Sequence, residues 1–434
     1  MPVKKNPTLI LIVALVIVAA IGPLAGVLYS KAKNPISTPA IAASLSEDET
    51  NPEIIGKAYP LQYESYLKSA EMGKGPSKYK GSVPESALDK FPYMRTLWEG
   101  MPFSKEYNEN RGHVYALTDV KKIKRVNDKT PLTCMTCKSP QVPRAIKEMG
   151  DGYYKANFLQ NKDKFVYSIS CADCHNPKTM ELTITRPALK EALQRQGKDL
   201  SRLTRQEMRT LVCAQCHVEY YFEPGTGKLT FPWDKGTEPE QMYAYYQEKN
   251  FKDWDHPKSK DPMLKAQHPE YEFFQGSTHQ SAGVACADCH MPYKMSGTTK
   301  FSSHWVTSPL KTMKESCSNC HGADLDKLKE RVFYTQDKVK DSLDRAGNAN
   351  AEAIKAINEA MNTPGVNDAD LKKARDLHRE AQFYWDLVSA ENSLGFHNPS
   401  KALSTLAKSI DLARQAKEAA DAVWTEALKK GAKQ

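Results

Sequence analysis

The sequence predicts a mainly α-helical chain that wraps around covalently held groups in its middle and draws out into long helices at its C-terminal end. Two observations predict this. All ten cysteines of the 434 residues fall into five Cys-x-x-Cys pairs between residues 134 and 321, and over that stretch helical signals are short and broken by Pro and Gly. After residue 322 the periodicity becomes long and regular, while strand-like alternation is scarce throughout.

At the N-terminus, Lys4 and Lys5 precede an apolar run over residues 8–29, long enough to span a bilayer and longer than the apolar part of a usual signal peptide. No small-x-small cleavage site follows it directly; Ala40-Ile41-Ala42 lies too far downstream. Residues 1–30 therefore read as a signal anchor or signal peptide, with the uncleaved anchor favoured. Lys31 and Lys33 on the far side weaken any charge-based orientation. Residues 31–55, rich in Pro, Ser, Ala and acids, read as a flexible tether. The remainder, 56–434, reads as one domain, because no linker separates the five motifs.

Within that domain the first clear helix is Arg186–Gln196, closed by Gly197. Further helices are expected over 324–345, ending near Gly347, over 350–362 before Pro364-Gly365, and over Asp368–Leu394 with Gly395 just past its end. Asn398-Pro399 then opens a last helix reaching about Lys430. Tyr384, Leu387 and Val388, and likewise Leu403, Leu406 and Ile410, recur at helical spacing, with Trp385 and Trp424 adding apolar area. This pattern suits internal packing or a homodimer interface equally.

The residue after each cysteine pair carries the chemistry. Four pairs are followed by His: Cys171, Cys174 and His175; Cys213, Cys216 and His217; Cys286, Cys289 and His290; Cys317, Cys320 and His321. Cys-x-x-Cys-His is the attachment signature of c-type haem, two thioethers fixing the porphyrin and the adjacent His reaching its iron. Zinc ribbons need no His at that position, and a thioredoxin-like site needs one pair, not five. With a haem on each motif no cysteine remains for a disulfide. The domain then divides into a haem-binding part, 100–322, and a long-helix part, 323–434. Covalent haem is attached outside the cytoplasm, which places the body in the periplasm or another extracytoplasmic space.

Eleven histidines are present. Four follow cysteine pairs, leaving enough for a second axial ligand on each of those haems and a spare for catalysis. The formal charge of +9 comes from scattered lysines, which mark a solvated face rather than a nucleic-acid site, and haem propionates offset much of it. A positive field near a substrate channel would favour a small anion.

The first pair, Cys134 and Cys137, is followed by Lys138 instead. Lysine binds iron only as a neutral amine, so coordination must pull it far below its free pKa of about 10.4. An iron with one amine ligand and an open opposite face is a place for substrate, and four bis-His haems around it form a wire and an electron reservoir. That suits multi-electron reduction of a small ligand. A purely electron-transferring cytochrome would need every iron six-coordinate, which Lys138 argues against.

From about residue 60 to 430 the chain resembles the pentahaem, ammonia-forming cytochrome c nitrite reductases. The resemblance rests on Arg-Gly-His at 111–113, Cys-Met-Thr-Cys-Lys at 134–138, Cys-His-Val-Glu-Tyr-Tyr-Phe at 216–222, and Pro-Met-Leu-Lys-Ala-Gln-His-Pro-Glu-Tyr at 262–271. It implies a multihaem cytochrome c fold around five haem c groups, and reduction of nitrite to ammonium plus two waters by six electrons and eight protons. It implies that Arg125, Tyr220 and His268 surround the ligand; Arg can hold the anion's oxygens, His can give protons, and Tyr can bond intermediates. Arg125 lies in a basic run where the correspondence could shift to Lys124. Calcium is implied beside the site, on the side chains of Glu219 and Gln267 and the carbonyls of Tyr220 and Lys265, an oxygen set that suits a hard cation. For the distal ligands the resemblance assigns His304 to the haem of His175, His113 to that of His217, His397 to that of His290 and His279 to that of His321. His256, in a polar loop, and His378, on a charged helix face, receive no role. Hydroxylamine, nitric oxide or sulfite could use the same site. A membrane quinol-oxidising cytochrome is the implied electron donor.

Overall fold

The computed structural model describes residues 39–431. The apolar run 8–29, and with it the expected anchor and the first part of the tether, lies outside the described residues. Among those described, no helix is long and apolar enough to cross a membrane. The last part of the expected tether begins with a short helix, Pro39–Ser44. Leu45 behind it is buried with Ile55, Ala58 and Ala172, so the chain is already seated on the body there.

The fold is mainly helical, as expected. Between residues 39 and 322 no helix exceeds ten residues. The longest are α1 (Pro187–Arg195), α2 (Arg205–Ala214) and α3 (Pro239–Glu248). Local chemistry sets their ends: α1 starts with Pro at its first position, and Thr204 and Glu207 cap α2 reciprocally. The strands are three two-residue or four-residue antiparallel ribbons. Tyr221–Phe222 (β1) pairs with Leu229–Thr230 (β2), Trp254–Asp255 (β3) with Pro262–Met263 (β4), and Tyr293–Ser296 (β5) with Thr299–Ser302 (β6).

The C-terminal third is a bundle of α4 (Leu325–Met361), α5 (Lys372–Ala390) and α6 (Pro399–Gly431). Two expected boundaries differ. The helices expected over 324–345 and 350–362 are one helix of 37 residues. Gly347 does not end it; a Cβ there would overlap the Tyr93 ring, so the glycine serves close packing within the helix. The expected Asp368–Leu394 helix runs only over Lys372–Ala390, because the chain turns to extended backbone at Glu391. Asn398 caps α6 by accepting from the Lys401 amide at 3.2 Å.

The largest apolar core lies where this bundle meets α3 and the segment around Trp98. Trp98 and Trp385 are both fully buried with ring centroids 5.7 Å apart. Tyr384, Leu387, Val388 and Leu406 are interior, which favours internal packing for that stripe, while Leu403 and Trp424 are exposed. His256 and His378 are wholly buried, which corrects the surface setting read from sequence. His378 pairs through Nδ1 with Asp261, joining α5 to the β3–β4 loop, and His256 Nε2 with the Thr96 carbonyl at 2.9 Å, tying that loop to the segment before Trp98.

Candidate active site

Between the apolar clusters runs one continuous cavity of about 3060 Å³, several times the roughly 300–1,000 Å³ of a single-ligand pocket. All ten cysteines line it, and none is disulfide-bonded. Cys137 lies beside Cys216, and Cys213 beside Cys286, so the first, third and fourth motifs adjoin one another.

Histidines pair across this cavity. Ring centroids are 6.1 Å apart for His175 and His304, 6.2 Å for His113 and His217, 6.2 Å for His290 and His397, and 6.0 Å for His279 and His321. These are the four pairs the resemblance implied. An ion midway between two imidazoles at that spacing would lie about 2 Å from each near nitrogen, a bonding distance for a first-row metal. The residues therefore fit bis-His haem iron. The outer nitrogens are held as well: Nδ1 of His175 bonds the Met180 carbonyl at 2.8 Å, that of His290 the Thr307 carbonyl at 3.0 Å, and that of His304 the Ser302 carbonyl at 2.9 Å. His397 differs in bonding a carboxylate, Glu391.

Lys138, Arg125, Tyr220 and His268 line the same cavity. Arg125 lies over the Phe103 ring at 3.8 Å, with Nη1 buried and without a partner among the described residues. Lys124 is exposed and bonds Glu106 through its backbone amide, so of the two it is Arg125 that faces inward. Burial lowers the Arg125 pKa and raises that of Tyr220 well above the usual phenol range. Burial also holds His268 down to about 3, with Glu270 opposing. His268 Nδ1 is buried and unpartnered, 4.0 Å from Glu270. The His268 ring is also 6.3 Å from that of His217. An inward guanidinium, a protonated phenol and a neutral imidazole with free polar atoms suit a small anion that brings its own acceptors.

The residues of the implied calcium set bond one another. Glu219 is 1% exposed, accepts from Tyr246 at 2.9 Å and from the Gln267 amide at 2.6 Å, and its own amide donates to Glu272 at 2.9 Å. Gln267 Nε2 reaches the Lys265 carbonyl at 3.0 Å. Burial pushes the Glu219 carboxyl well above its ordinary range; a cation against it would favour the ionised form. The Lys265 ammonium cannot serve, being bound to Asp386 at 2.8 Å. A single carboxylate with amide and carbonyl oxygens fits calcium. No three His, Cys, Asp or Glu side chains converge on a metal position among the described residues.

Sequence reasoning passed over Glu270 and Glu391. Glu270 is buried, 3.8 Å from His217 and bonded by Asn392; its one signal was its place two residues after His268. Glu391 is six residues before His397 and carried no pattern at all.

Comparisons with known proteins point to one family. The model of the cytochrome c552 family matches residues 51–434. The cytochrome c nitrite reductase subunit NrfA of Nitratidesulfovibrio vulgaris is 43% identical, over 89% of this chain and 83% of that one. A cytochrome c-552 of Bacteroides thetaiotaomicron is 42% identical, over 86% and 77%. Among solved structures, the catalytic subunit of a cytochrome c nitrite reductase from Desulfovibrio desulfuricans, described as having two calcium sites, superposes with a TM-score of 0.82. It is 42% identical and 87% of each chain is covered.

Proposed function

The chain belongs to the cytochrome c552 family, and from that membership we propose that it reduces nitrite to ammonium at a lysine-ligated c-type haem fed by four bis-His haems. It is an oxidoreductase of the cytochrome c nitrite reductase kind, with covalent haem c and calcium as cofactors. The observation that supports the finer reading is that Lys138, Arg125, Tyr220 and His268 all line the cavity, with Arg125 near enough to Tyr220, and Lys138 to His268, for each charge to act on the other.

When bound, the haems would supply the redox-active metal centre for nitrite and the route for its six electrons. The protein's own groups do the rest. Arg125, charged at every working pH, holds the oxygens that leave as water. Tyr220, its pKa raised by burial, stays protonated and donates a hydrogen bond. His268 is neutral while the site is free of anion; an anion beside it favours the imidazolium and moves its pKa up toward the range in which it exchanges protons. Glu219, Gln267 and the carbonyls of Tyr220 and Lys265 would hold calcium, whose charge would tie together the backbone between the catalytic side chains.

An assay of holoprotein with nitrite and a reduced low-potential dye tests this. Six electrons consumed and one ammonium formed per nitrite supports it; no nitrite consumption by protein with five intact haems rejects it. The same reading makes the exported body tethered by residues 1–30, homodimeric, and served by a membrane quinol-oxidising cytochrome. Its recovery from washed membranes only with detergent is the expected result for the tether.

A further inference from the structure

Arg186 stands at the N-cap position of α1, but its side chain turns inward and is 1% exposed. Its Nε donates to the Thr136 carbonyl at 2.8 Å and its Nη2 to the Ser139 carbonyl at 2.9 Å. Thr136 lies between the cysteines of the first motif, and Ser139 directly follows Lys138. One planar guanidinium therefore grips the turn on both sides of the lysine that stands in the ligand position.

The same group reaches the other motifs. Nη2 also donates to Asp173, which lies between the cysteines of the second motif, and Nη1 to the Thr185 hydroxyl at 2.6 Å. The other Asp173 oxygen accepts from the Ser170 amide at 2.7 Å. Gln215, between the cysteines of the third motif, donates to the Asp173 carbonyl at 2.7 Å and accepts from the amides of Thr185 and Arg186 at 2.8 and 3.1 Å. A residue from inside each of three Cys-x-x-Cys motifs thus meets in one network, and Arg186, Asp173, Gln215, Thr136 and Ser139 are all buried.

Burying an ion pair is costly, and apolar side chains would often hold the fold as well. What the guanidinium adds is a rigid fork of donors in fixed directions. The lysine motif needs such a fork more than the histidine motifs do. A His ligand is aimed by two side-chain torsions and by the bond at its outer nitrogen; a Lys ligand hangs on a flexible four-carbon stem, so its backbone must be held instead. The fourth motif supplies a contrast: Arg209 pairs with Asp288 there and bonds Gln206, but among the described residues donates to no carbonyl beside a ligand.

We propose that Arg186 is a positioning residue for Lys138, holding the turn over 136–139 so that the amine points into the cavity, with Asp173 and Gln215 holding Arg186 in turn. The inference rests on Lys138 being an iron ligand. Its test uses the holoprotein with Arg186→Gln, Arg186→Lys and Asp173→Asn, following the electron paramagnetic resonance of the oxidised haems alongside steady-state kinetics. Wild type should show one haem signal that nitrite changes; if none responds, the ligand reading falls and this inference with it. In the Arg186 variants that signal should spread into several populations, with the bis-His signals unchanged. The kcat should fall roughly tenfold or more while KM moves less. Asp173→Asn should do the same in weaker form. If wild type responds and the Arg186 variants keep a single unaltered signal, or lose activity only in step with haem content, the positioning role is overturned. Should Arg186→Gln fail to accumulate, Arg186→Lys decides by the same signal, since an ammonium lacks the planar fork that holds both carbonyls.

Discussion

His397 donates from Nδ1 to the wholly buried carboxylate of Glu391 at 2.6 Å, where His175, His290 and His304 each bond a neutral carbonyl. A carboxylate at the outer nitrogen makes an imidazole more basic and favours the oxidised metal. With His290 and His397 as the two ligands of one haem, as proposed above, that haem should sit at lower potential than it would without the carboxylate. Glu391→Gln should raise that potential by on the order of tens of millivolts. Redox titration followed optically would show one component moving and the others still; no shift would mean the bond has no electronic effect.

Lys138→His should give a protein with five attached haems and at least tenfold lower kcat for nitrite. The comparison separates attachment, which needs only Cys134 and Cys137, from tuning, which needs the amine. Full activity in this variant would remove the reason for a lysine there.

The three side chains proposed to surround the anion should differ in how they fail. His268→Asn should lower kcat by about 10²-fold or more, as loss of a general acid or transition-state donor does, with KM little changed. Arg125→Gln should raise KM as well, because the guanidinium also holds the anion before reaction. Tyr220→Phe should cost least in binding, and partial reduction products should accumulate; their identification by chromatography checks the role.

Calcium and protons should compete at Glu219. Burial raises its pKa, so the calcium-free protein keeps a proton at pH values where a free carboxylate has lost it. Calcium must displace that proton, so its affinity should rise with pH and level off only above the raised pKa. Chelator should lower activity more at acid than at alkaline pH, and Glu219→Gln should abolish the pH dependence of binding measured by calorimetry.

Gly347→Ala would ordinarily strengthen a helix interior by about 1 kcal/mol. Here the added Cβ overlaps Tyr93, whose ring is packed edge-on to Trp385 and whose hydroxyl bonds Asp344 at 3.1 Å. The expected net effect is destabilisation of roughly 1–3 kcal/mol, seen as a lower thermal midpoint. A raised midpoint would show that the tyrosine can move aside.

That glycine also shows where sequence reasoning stops. Haem attachment is local covalent chemistry, so five motifs announce themselves at fixed spacing. The identities of His113, His279, His304 and His397 as partners came through family resemblance, since nothing in their spacing says which motif each faces. Gly347 was misread because a glycine that ends a helix and one that admits a neighbouring ring look alike in one dimension. His378 looked like part of a charged face because its acid, Asp261, is more than a hundred residues away in sequence. Arg186 looked like the first residue of an ordinary helix, and Asp173 and Gln215 occupy the variable places of their motifs. Each of these roles depends on a contact between distant segments.

The cavity of about 3060 Å³ separates the apolar clusters from one another, which has a consequence for biogenesis. Much of what would be interior in another protein is here supplied by groups the chain does not encode. Maturation and folding are then a single process: the polypeptide must stay open to the attachment machinery until every thioether has formed. Only then can its segments close on one another. A missed attachment at any motif would leave apolar walls facing water, and should mark the chain for degradation before it could ever be tested as a catalyst.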